Sequence, residues 1–315
     1  MIGGEDRALL ERSLRHATET STGAALDAAL DELGWGDALS VDACAAVSLL
    51  FALQGAANAT SAALERVLAH ALGHEAEAVV LPAVGRWEAP GALGAGGIEV
   101  RGVATARLAE RATTLIVARA GASHVAVEAD TAALPSRPIH GVDATLGLAE
   151  VSGAVAGARE LGPVDWRGAV GLGQLALGHE LVGAASRILE LARGHALERI
   201  QFGRPIATFQ AVRHRLAETL VAIEAADALL DAAWLDRTPQ AAAMAKAAAG
   251  RAARAAARHC QQVLAGIGFT TEHPLHRYVK RALVLEQLLG STRGLTRELG
   301  ADILDHRRLP ALLPL

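Results

Sequence analysis

Aromatic side chains are scarce: four Phe, four Trp and one Tyr among 315 residues. A core of this size cannot rest on large rings, so it must be built from Ala, Leu and Val on closely approaching helices. Cysteine is nearly absent, and Cys44 and Cys260 supply neither a disulfide framework nor a zinc cluster. A reducing, cytoplasmic compartment is therefore the default. There is no basic surplus: 30 Lys and Arg stand against 34 Asp and Glu, for a net charge of −4. A nucleic-acid binder would need the opposite balance to displace counterions. The start, MIGGEDRALLERSLRH, is charged throughout and does not read as a secretory signal. No G-x-G-x-x-G follows a strand and opens a helix, so a Rossmann site has no support. Charge is missing from one long run, residues 43–64. Its length would suffice to cross a bilayer. However, Ser48, Gln54, Asn58, Thr60, Ser61 and many alanines make it only mildly apolar, and a buried helix is the better reading.

What is there is apolar enough, at 51% hydrophobic residues, to bury a large core over two or three packed modules. Three textures follow one another. Residues 1–76 read as a shortened N-terminal helical domain. Leu9, Leu10 and Leu14 share one face, as do Leu26, Leu30 and Leu33, and Gly34 stops the second helix. Residues 77–163 gain glycine, proline and β-branched side chains, and 78–84, 98–104, 113–120 and 124–130 read as strands. Turn-prone pieces at 89–97 and 134–138 separate them, which predicts a small antiparallel β domain. Residues 164–315 return to long helical patterns over 170–198, 209–234, 241–264 and 274–299, the last broken near Gly290. These predict a C-terminal four-helix bundle. The fold class is mainly α with a small central β domain.

Two strings carry chemistry. In ALERIQFGRPIATFQAVRHRLAE (196–218) a helix ends at Arg199, a turn follows at Gly203-Arg204-Pro205, and a new helix starts near Thr208. Arg199, Gln201, Arg204 and Gln210 then gather at one inter-helix corner. There Arg199 suits a phosphate through charge-assisted hydrogen bonds. The alternative is a polar corner capped by an arginine. In the second string, Gln262 precedes Ala265-Gly266-Ile267-Gly268, whose small side chains would let a planar or pyrophosphate ligand approach the backbone. The alternative is a glycine-rich link between helices.

Together the strings R-x-Q-F-G-R-P-I-x-x-F-Q-A-V-x-H-x-L-A (Arg199–Ala217) and Q-x-x-x-G-x-G-F-T-x-E-H-P (Gln262–Pro274) resemble the C-terminal half of the flavin-dependent acyl-CoA dehydrogenases. The likeness is strong over about 175–300, and Glu32–Trp35 (ELGW) agrees with it. It implies a helical domain, a β domain and a four-helix bundle, the order already read. It also implies FAD as cofactor and α,β-dehydrogenation of an acyl-CoA thioester. In that reaction a glutamate removes the Cα proton while the β-hydride passes to the flavin. Such enzymes place FAD at a subunit contact. By match of motif, the contacts donated to a neighbour here are Arg199, Gln201, Phe202, Gln210, Gln262 and Gly266. Ala265 stands where the family has the first glycine of a pair.

The departures from the family pattern are equally specific. The glutamate of a Y-E-G-T motif in one branch of the family falls on Leu289 here, and the base early in the first bundle helix of the other branch falls near Gly173. Neither accepts a proton. No T-E-P-x-x-G-S-D-like loop for the flavin occurs in 77–165, and Gln174 lies near the place of the family's CoA-binding arginine. The pattern resembles the short subunit of the split, α2β2 acyl-CoA dehydrogenases of actinobacteria that act on CoA thioesters of steroid side chains. This implies a second acyl-CoA dehydrogenase-type subunit that brings the flavin loop and the glutamate, with an electron-acceptor flavoprotein beyond it. Two alternatives stay open. One is a self-sufficient enzyme with Glu180, or Glu272 of T-E-H-P, recruited as base by burial; Glu180 otherwise reads as a helix-surface charge or as a partner of His179 or Arg187. The other is a degenerate subunit that only stabilises a complex. His70 and His74, with Glu75 and Glu77 nearby, have helical ligand spacing, but solvent-facing polar residues are the better reading and no metal is expected. Cys260 reads as core packing.

Overall fold

The computed structural model describes residues 3–76, 78–94, 97–105, 108 and 110–307. Five helices come first: α1 (Gly4–Thr20), α2 (Ala24–Glu32), α3 (Trp35–Val41), α4 (Ala43–Ala57) and α5 (Ala63–Ala71). Their core gathers Leu14, Leu26, Leu30, Leu50 and Phe51 around the fully buried Trp35, whose indole N–H donates to the Ala46 carbonyl at 3.1 Å. The uncharged run becomes α4, capped by the Asp42 carboxylate on the Ala45 N–H. Among the described residues no helix is long and apolar enough to cross a membrane.

The central sheet has eight strands: β1 (Leu81–Pro82), β2 (Gly91–Gly94), β3 (Gly97–Thr105), β4 (Thr113–Ala120), β5 (Ser123–Asp130), β6 (Ser136–Pro138), β7 (Leu148–Val155) and β8 (Arg159–Pro163). The order is β6-β7-β3-β2-β4-β5-β8, with β1 also on β3. All pairs are antiparallel except β2 with β4, so the antiparallel expectation needs that one correction. The stretch 89–97, expected as turn, supplies β2, because Gly91 opposite Val100 and Leu93 opposite Ile98 extend the β3 edge. Conversely, only two residues of 78–84 form a strand. The chain leaves the sheet after β1 and rejoins it at β2, and the intervening segment is tied to the bundle. There Gly85 N–H donates to the Gln287 carbonyl at 2.9 Å, and the Trp166 indole donates to the Trp87 carbonyl at 3.0 Å.

The bundle comprises α6 (Trp166–Glu198), α7 (Gln210–Asp236), α8 (Pro239–Leu264), α9 (Leu275–Leu285) and α10 (Thr292–His306). Side-chain caps start three of them: Asp165 on Gly168 N–H, Thr238 on Ala241 N–H with Pro239 at the first position, and Ser291 on Gly294 N–H. The break near Gly290 is where α9 gives way to α10, with Leu289 and Gly290 at φ +51° and +102°. One continuous core runs from Leu68 through sheet residues Val103, Leu115 and Val117 to Leu181, Leu230, Ala249 and Leu285.

The long axis of this core is α6, which crosses α4 with almost no side chain between the backbones. A Cβ added to Gly183 would meet the Ala52 carbonyl oxygen at 2.0 Å, and one on Gly55 would meet the Glu180 carbonyl oxygen at 2.0 Å. Backbone cannot yield there as a side-chain tip does. Gly183→Ala should therefore lower stability by about 3 kcal/mol, read as a drop in the urea midpoint at unchanged slope. A variant within a few tenths of a kcal/mol of the parent would mean that the two helices are not held at this distance.

Candidate functional site

The first string forms one tight corner. After α6 the chain turns through a two-stranded hairpin, β9 (Ile200–Gln201) and β10 (Arg204–Pro205), and then enters α7 at Gln210. The turn sits at Phe202-Gly203, one residue earlier than the spacing suggests, with φ +53° and +78°. Two successive positive φ angles make the kind of turn that suits right-twisted strands. Arg199 caps α6, and its carbonyl accepts from Ile206 N–H at 2.8 Å. The Arg204 guanidinium covers the Phe209 ring at 4.5 Å, so among the described residues Arg199 is the cation this corner leaves exposed for a ligand. Arg199, Gln201 and Gln210 are all exposed, and Phe202 is 92% exposed. Leu197 and Ile200 beside them are also exposed.

The second string lies at the same end of the bundle. Gln262 is exposed in the last turn of α8, and Ala265–Phe269 winds into a 3-10 turn whose Gly266 has nothing within 4 Å of an added Cβ. The two strings meet through His195, one turn before Arg199, and His273, whose rings stand edge-on with centroids 6.5 Å apart. Burial and neighbouring charges hold both imidazoles below their ordinary pKa.

The interior tells the opposite story. Leu289 is buried, and its Cδ1 lies where a Gly173 side chain would begin, 2.5 Å from an added Cβ. The two positions expected to have lost a base are thus pressed against each other. Gln174 donates to the Leu289 carbonyl at 2.9 Å, and buried Lys246 donates to the Glu286 and Gly290 carbonyls at 3.0 and 2.5 Å. These bonds pin the left-handed turn in place. Desolvation pushes the Lys246 ammonium down to about 7. Trp87 closes the other side: added Cβ atoms on Gly290 and Gly294 would each meet its indole at 3.1 Å. Nothing in sequence spacing marked Trp87, which lies between the expected strand 78–84 and the turn-prone stretch 89–97. A cleft of about 520 Å³ between the sheet and the bundle, lined by Trp87, Arg101, Trp166, Arg167 and Gln174, stops at this plug.

The alternative bases do not reach an open site. Glu180 is buried against Gln54 and Arg281, not against His179 or Arg187. His179 accepts from the Trp234 indole at 3.0 Å, and Arg187 pairs with Glu190 at 2.9 Å. One Glu180 oxygen has no hydrogen-bond partner, and burial pushes the carboxyl up to about 7. Glu272 is exposed, as an unused surface acid would be. His70 and His74 lose their helical spacing because α5 ends at Ala71 and Gly73 takes φ +73°. Glu77 lies outside the described residues, and among those described no group of three His, Cys, Asp or Glu could hold a metal ion.

Comparison with known proteins agrees with the fold. The acyl-CoA dehydrogenase C-terminal domain family matches residues 167–304. This stretch, under half of the chain, is similar to that C-terminal domain. The acyl-CoA dehydrogenase IpdE2 of Mycobacterium tuberculosis is 44% identical over 127 residues, covering 40% of each chain. The human mitochondrial short-chain specific acyl-CoA dehydrogenase is 33% identical over 126 residues, 38% of this chain and 31% of that protein. The matched region thus spans less than half the length of these relatives. The fold likeness covers nearly everything. A variant of the Tcur3481–Tcur3483 steroid ACAD superposes with TM-score 0.81 at 22% identity, over 96% of this chain and 99% of that one. The ChsE4–ChsE5 complex from Mycobacterium tuberculosis superposes with TM-score 0.71 at 23% identity, over 97% and 89%. The chain therefore has the acyl-CoA dehydrogenase fold of helical, sheet and bundle layers.

Acyl-CoA dehydrogenases are FAD-dependent flavoproteins, and the two ends of this domain fit that cofactor unequally. The outer corner presents Arg199, Gln201 and Gln262 to solvent, beside a Gly266 open to close approach. This is a donor set suited to a nucleotide presented from outside the chain. In the interior, Leu289 fills the space beside Gly173 and Trp87 packs on the same turn, so neither motif position offers a proton acceptor.

Two tests follow. Ala265 holds φ +52°, ψ −133°, a conformation that favours glycine. Ala265→Gly should raise stability by about 1 kcal/mol, seen as a higher urea midpoint. A loss would mean that this backbone is unstrained. For Glu180, the carboxyl titrates near 4.5 when unfolded and about 7 when folded. Below 4.5 both states are protonated; as pH rises to 7 the unfolded state loses its proton first, so stability falls, then levels off. Glu65, also pushed up to about 7, adds to this slope. Glu180→Gln should flatten the fall measured by urea titration across that window; an unchanged slope would refute the assignment.

Proposed function

We propose that this chain is one subunit of a heteromeric, FAD-dependent acyl-CoA dehydrogenase that introduces an α,β double bond into a CoA thioester. A partner subunit of the same family supplies the catalytic glutamate, and this chain completes the flavin site across the interface. The observation that carries the reading is the contact of Leu289 with Gly173: both base positions are apolar and pressed together, while Arg199, Gln201 and Gln262 outside are exposed. When bound, FAD takes the β-hydride once the Cα proton is lost. Arg199 holds a phosphate oxygen of the partner's dinucleotide through charge-assisted hydrogen bonds, and Gln201, Gln210 and Gln262 contribute amide donors. Phe202, with Leu197 and Ile200, gives the corner an apolar rim that excludes water once covered.

The structural neighbours, the Tcur3481–Tcur3483 steroid ACAD and the ChsE4–ChsE5 complex, support a paired assembly. On this reading the substrate is a CoA thioester with a bulky, steroid-type acyl group, and a flavoprotein takes up the electrons in the cytoplasm. Burial does raise the Glu180 carboxyl to about 7, as the displaced-base alternative asks, but Glu180 does not line the cleft between the sheet and the bundle where a thioester would have to reach it.

Co-expression with a candidate partner should give a yellow complex with about one flavin per pair. Arg199→Ala should weaken flavin retention by roughly tenfold or more, since a charge-assisted contact contributes about 1.5–3 kcal/mol. Absorbance at the flavin band after gel filtration reads this directly. Unchanged flavin content in Arg199→Ala, or a solitary chain that binds flavin and is bleached by an acyl-CoA, would defeat the proposal.

A further inference from the structure

The end of α6 and the loop of the second string are separate segments, and a pair of imidazoles joins one to the other. His195 stands one turn before Arg199, and its carbonyl accepts the Arg199 N–H at 2.9 Å. His273 follows the 3-10 turn Ala265–Phe269 and precedes α9. The two rings are half-buried and meet edge-on, at 81° with centroids 6.5 Å apart. His273 has a second task. Its Nδ1 accepts from the Leu275 N–H at 3.2 Å, in the first turn of α9, where backbone donors have no partner within the helix. Its carbonyl accepts from His276 Nδ1 at 2.8 Å. An Nδ1 that accepts carries no proton, so this geometry holds the neutral ring. A proton placed there would turn the acceptor into a donor that faces another donor.

The surroundings point the same way. Burial comes first in holding both rings below their ordinary 6.5, followed by Arg199 for His195 and by His195 and His276 for His273. Glu198 opposes the shift on His195. Glu272 and Arg277, on either side of His273 in the chain, are exposed. We infer that His195 and His273 form a clasp that holds the loop 265–274 against the end of α6 and opens when acid protonates the rings. His273 is then a positioning residue, and its bearing on flavin rests on the function proposed above; the clasp itself needs only this chain. Above pH 6.5 the rings are neutral whether the loop is closed or open, and the clasp holds in full. As pH falls below 6.5 the open loop takes protons first, so closure weakens until the closed rings are protonated too.

The test is amide hydrogen exchange on the full chain at about pH 7.5 and about pH 5.5, corrected for the chemical pH dependence of exchange. Protection over 265–276 should fall about tenfold at the lower pH, while the core of α8 keeps its own. His273→Asn keeps an acceptor for Leu275 without a titrating ring, so its fall should stay within about twofold. His195→Phe keeps an edge-on ring without the charge and should retain more protection than the parent. An equal fall in the parent and His273→Asn, or no fall in the parent, overturns the clasp. Glu65 and Glu180 stabilise the fold as pH drops, so their effect runs the other way. Imidazole titration by NMR needs no variant: both rings should take their protons below pH 6.5, and either one protonating above it overturns the proposal. In the assembled enzyme the same drop in pH should speed flavin loss about tenfold in the parent and leave His273→Asn near its neutral rate. No difference between the two overturns the positioning role. The exchange measurement contains no flavin, so failure of the Arg199→Ala test and failure of this one are told apart.

Discussion

Everything else in the molecule depends on how closely α6 approaches its neighbours. A chain with nine aromatic residues has few bulky side chains to fill a wide core, so it closes the space by bringing backbones together. Gly55 and Gly183 allow the α4–α6 crossing, where a single methyl group would collide with a carbonyl. Alanine does the same on α8, whose face toward the core includes Ala245, Ala249, Ala252 and Ala256. Such packing tolerates little displacement, so whatever lines α6 is rigidly placed.

That rigidity explains how one helix serves two opposite ends. Near its start, Gly173 accepts the Leu289 side chain, and the turn carrying Leu289 is nailed down by Gln174 and Lys246. Farther along, Glu180 faces Arg281, which also reaches the Ala59 carbonyl at 2.8 Å and Asp143 at 2.5 Å. This buried polar group ties the first helices, the sheet loop and the bundle to one guanidinium. Breaking one member would leave charge without water, a heavier loss than the pairing contributes. At its far end α6 stops at Arg199, where the chain leaves the core and its donors face solvent.

The bundle was legible because 3.6-residue periodicity and capping residues are local signals, and the break at Gly290 announced itself by its glycine. ELGW was noted only for its family likeness, and the central place of Trp35 among the first helices was not read from it. The sheet was less so. β2 is strand-like only because β3 and β4 flank it, and β7 and β8 are short segments whose pairing is long-range. The corner residues could be named from the motif, but their exposure could not. Trp87 and the Leu289–Gly173 contact needed coordinates, because they join positions far apart in sequence. Glu180 shows the limit from the other side: the sequence left it open between a buried acid and a helix-surface charge, and it is buried with Gln54 and Arg281 as partners rather than its helix neighbours.

Exposure is what turns the corner into an argument for a partner. An arginine in water gains little from an anion, because solvent screens the pair and the side chain loses freedom on binding. The same contact strengthens several-fold when the surroundings are dry. Arg199 and the amides of Gln201 and Gln262 have no dry surroundings in this chain, and Phe202 at 92% exposure supplies an apolar cover that covers nothing. On the proposed reading a second subunit changes all three conditions at once. It buries Phe202, lowers the local dielectric and presents the phosphate. The donors would then hold little alone and much in the assembly, so the energy of flavin retention and the energy of subunit pairing become one quantity.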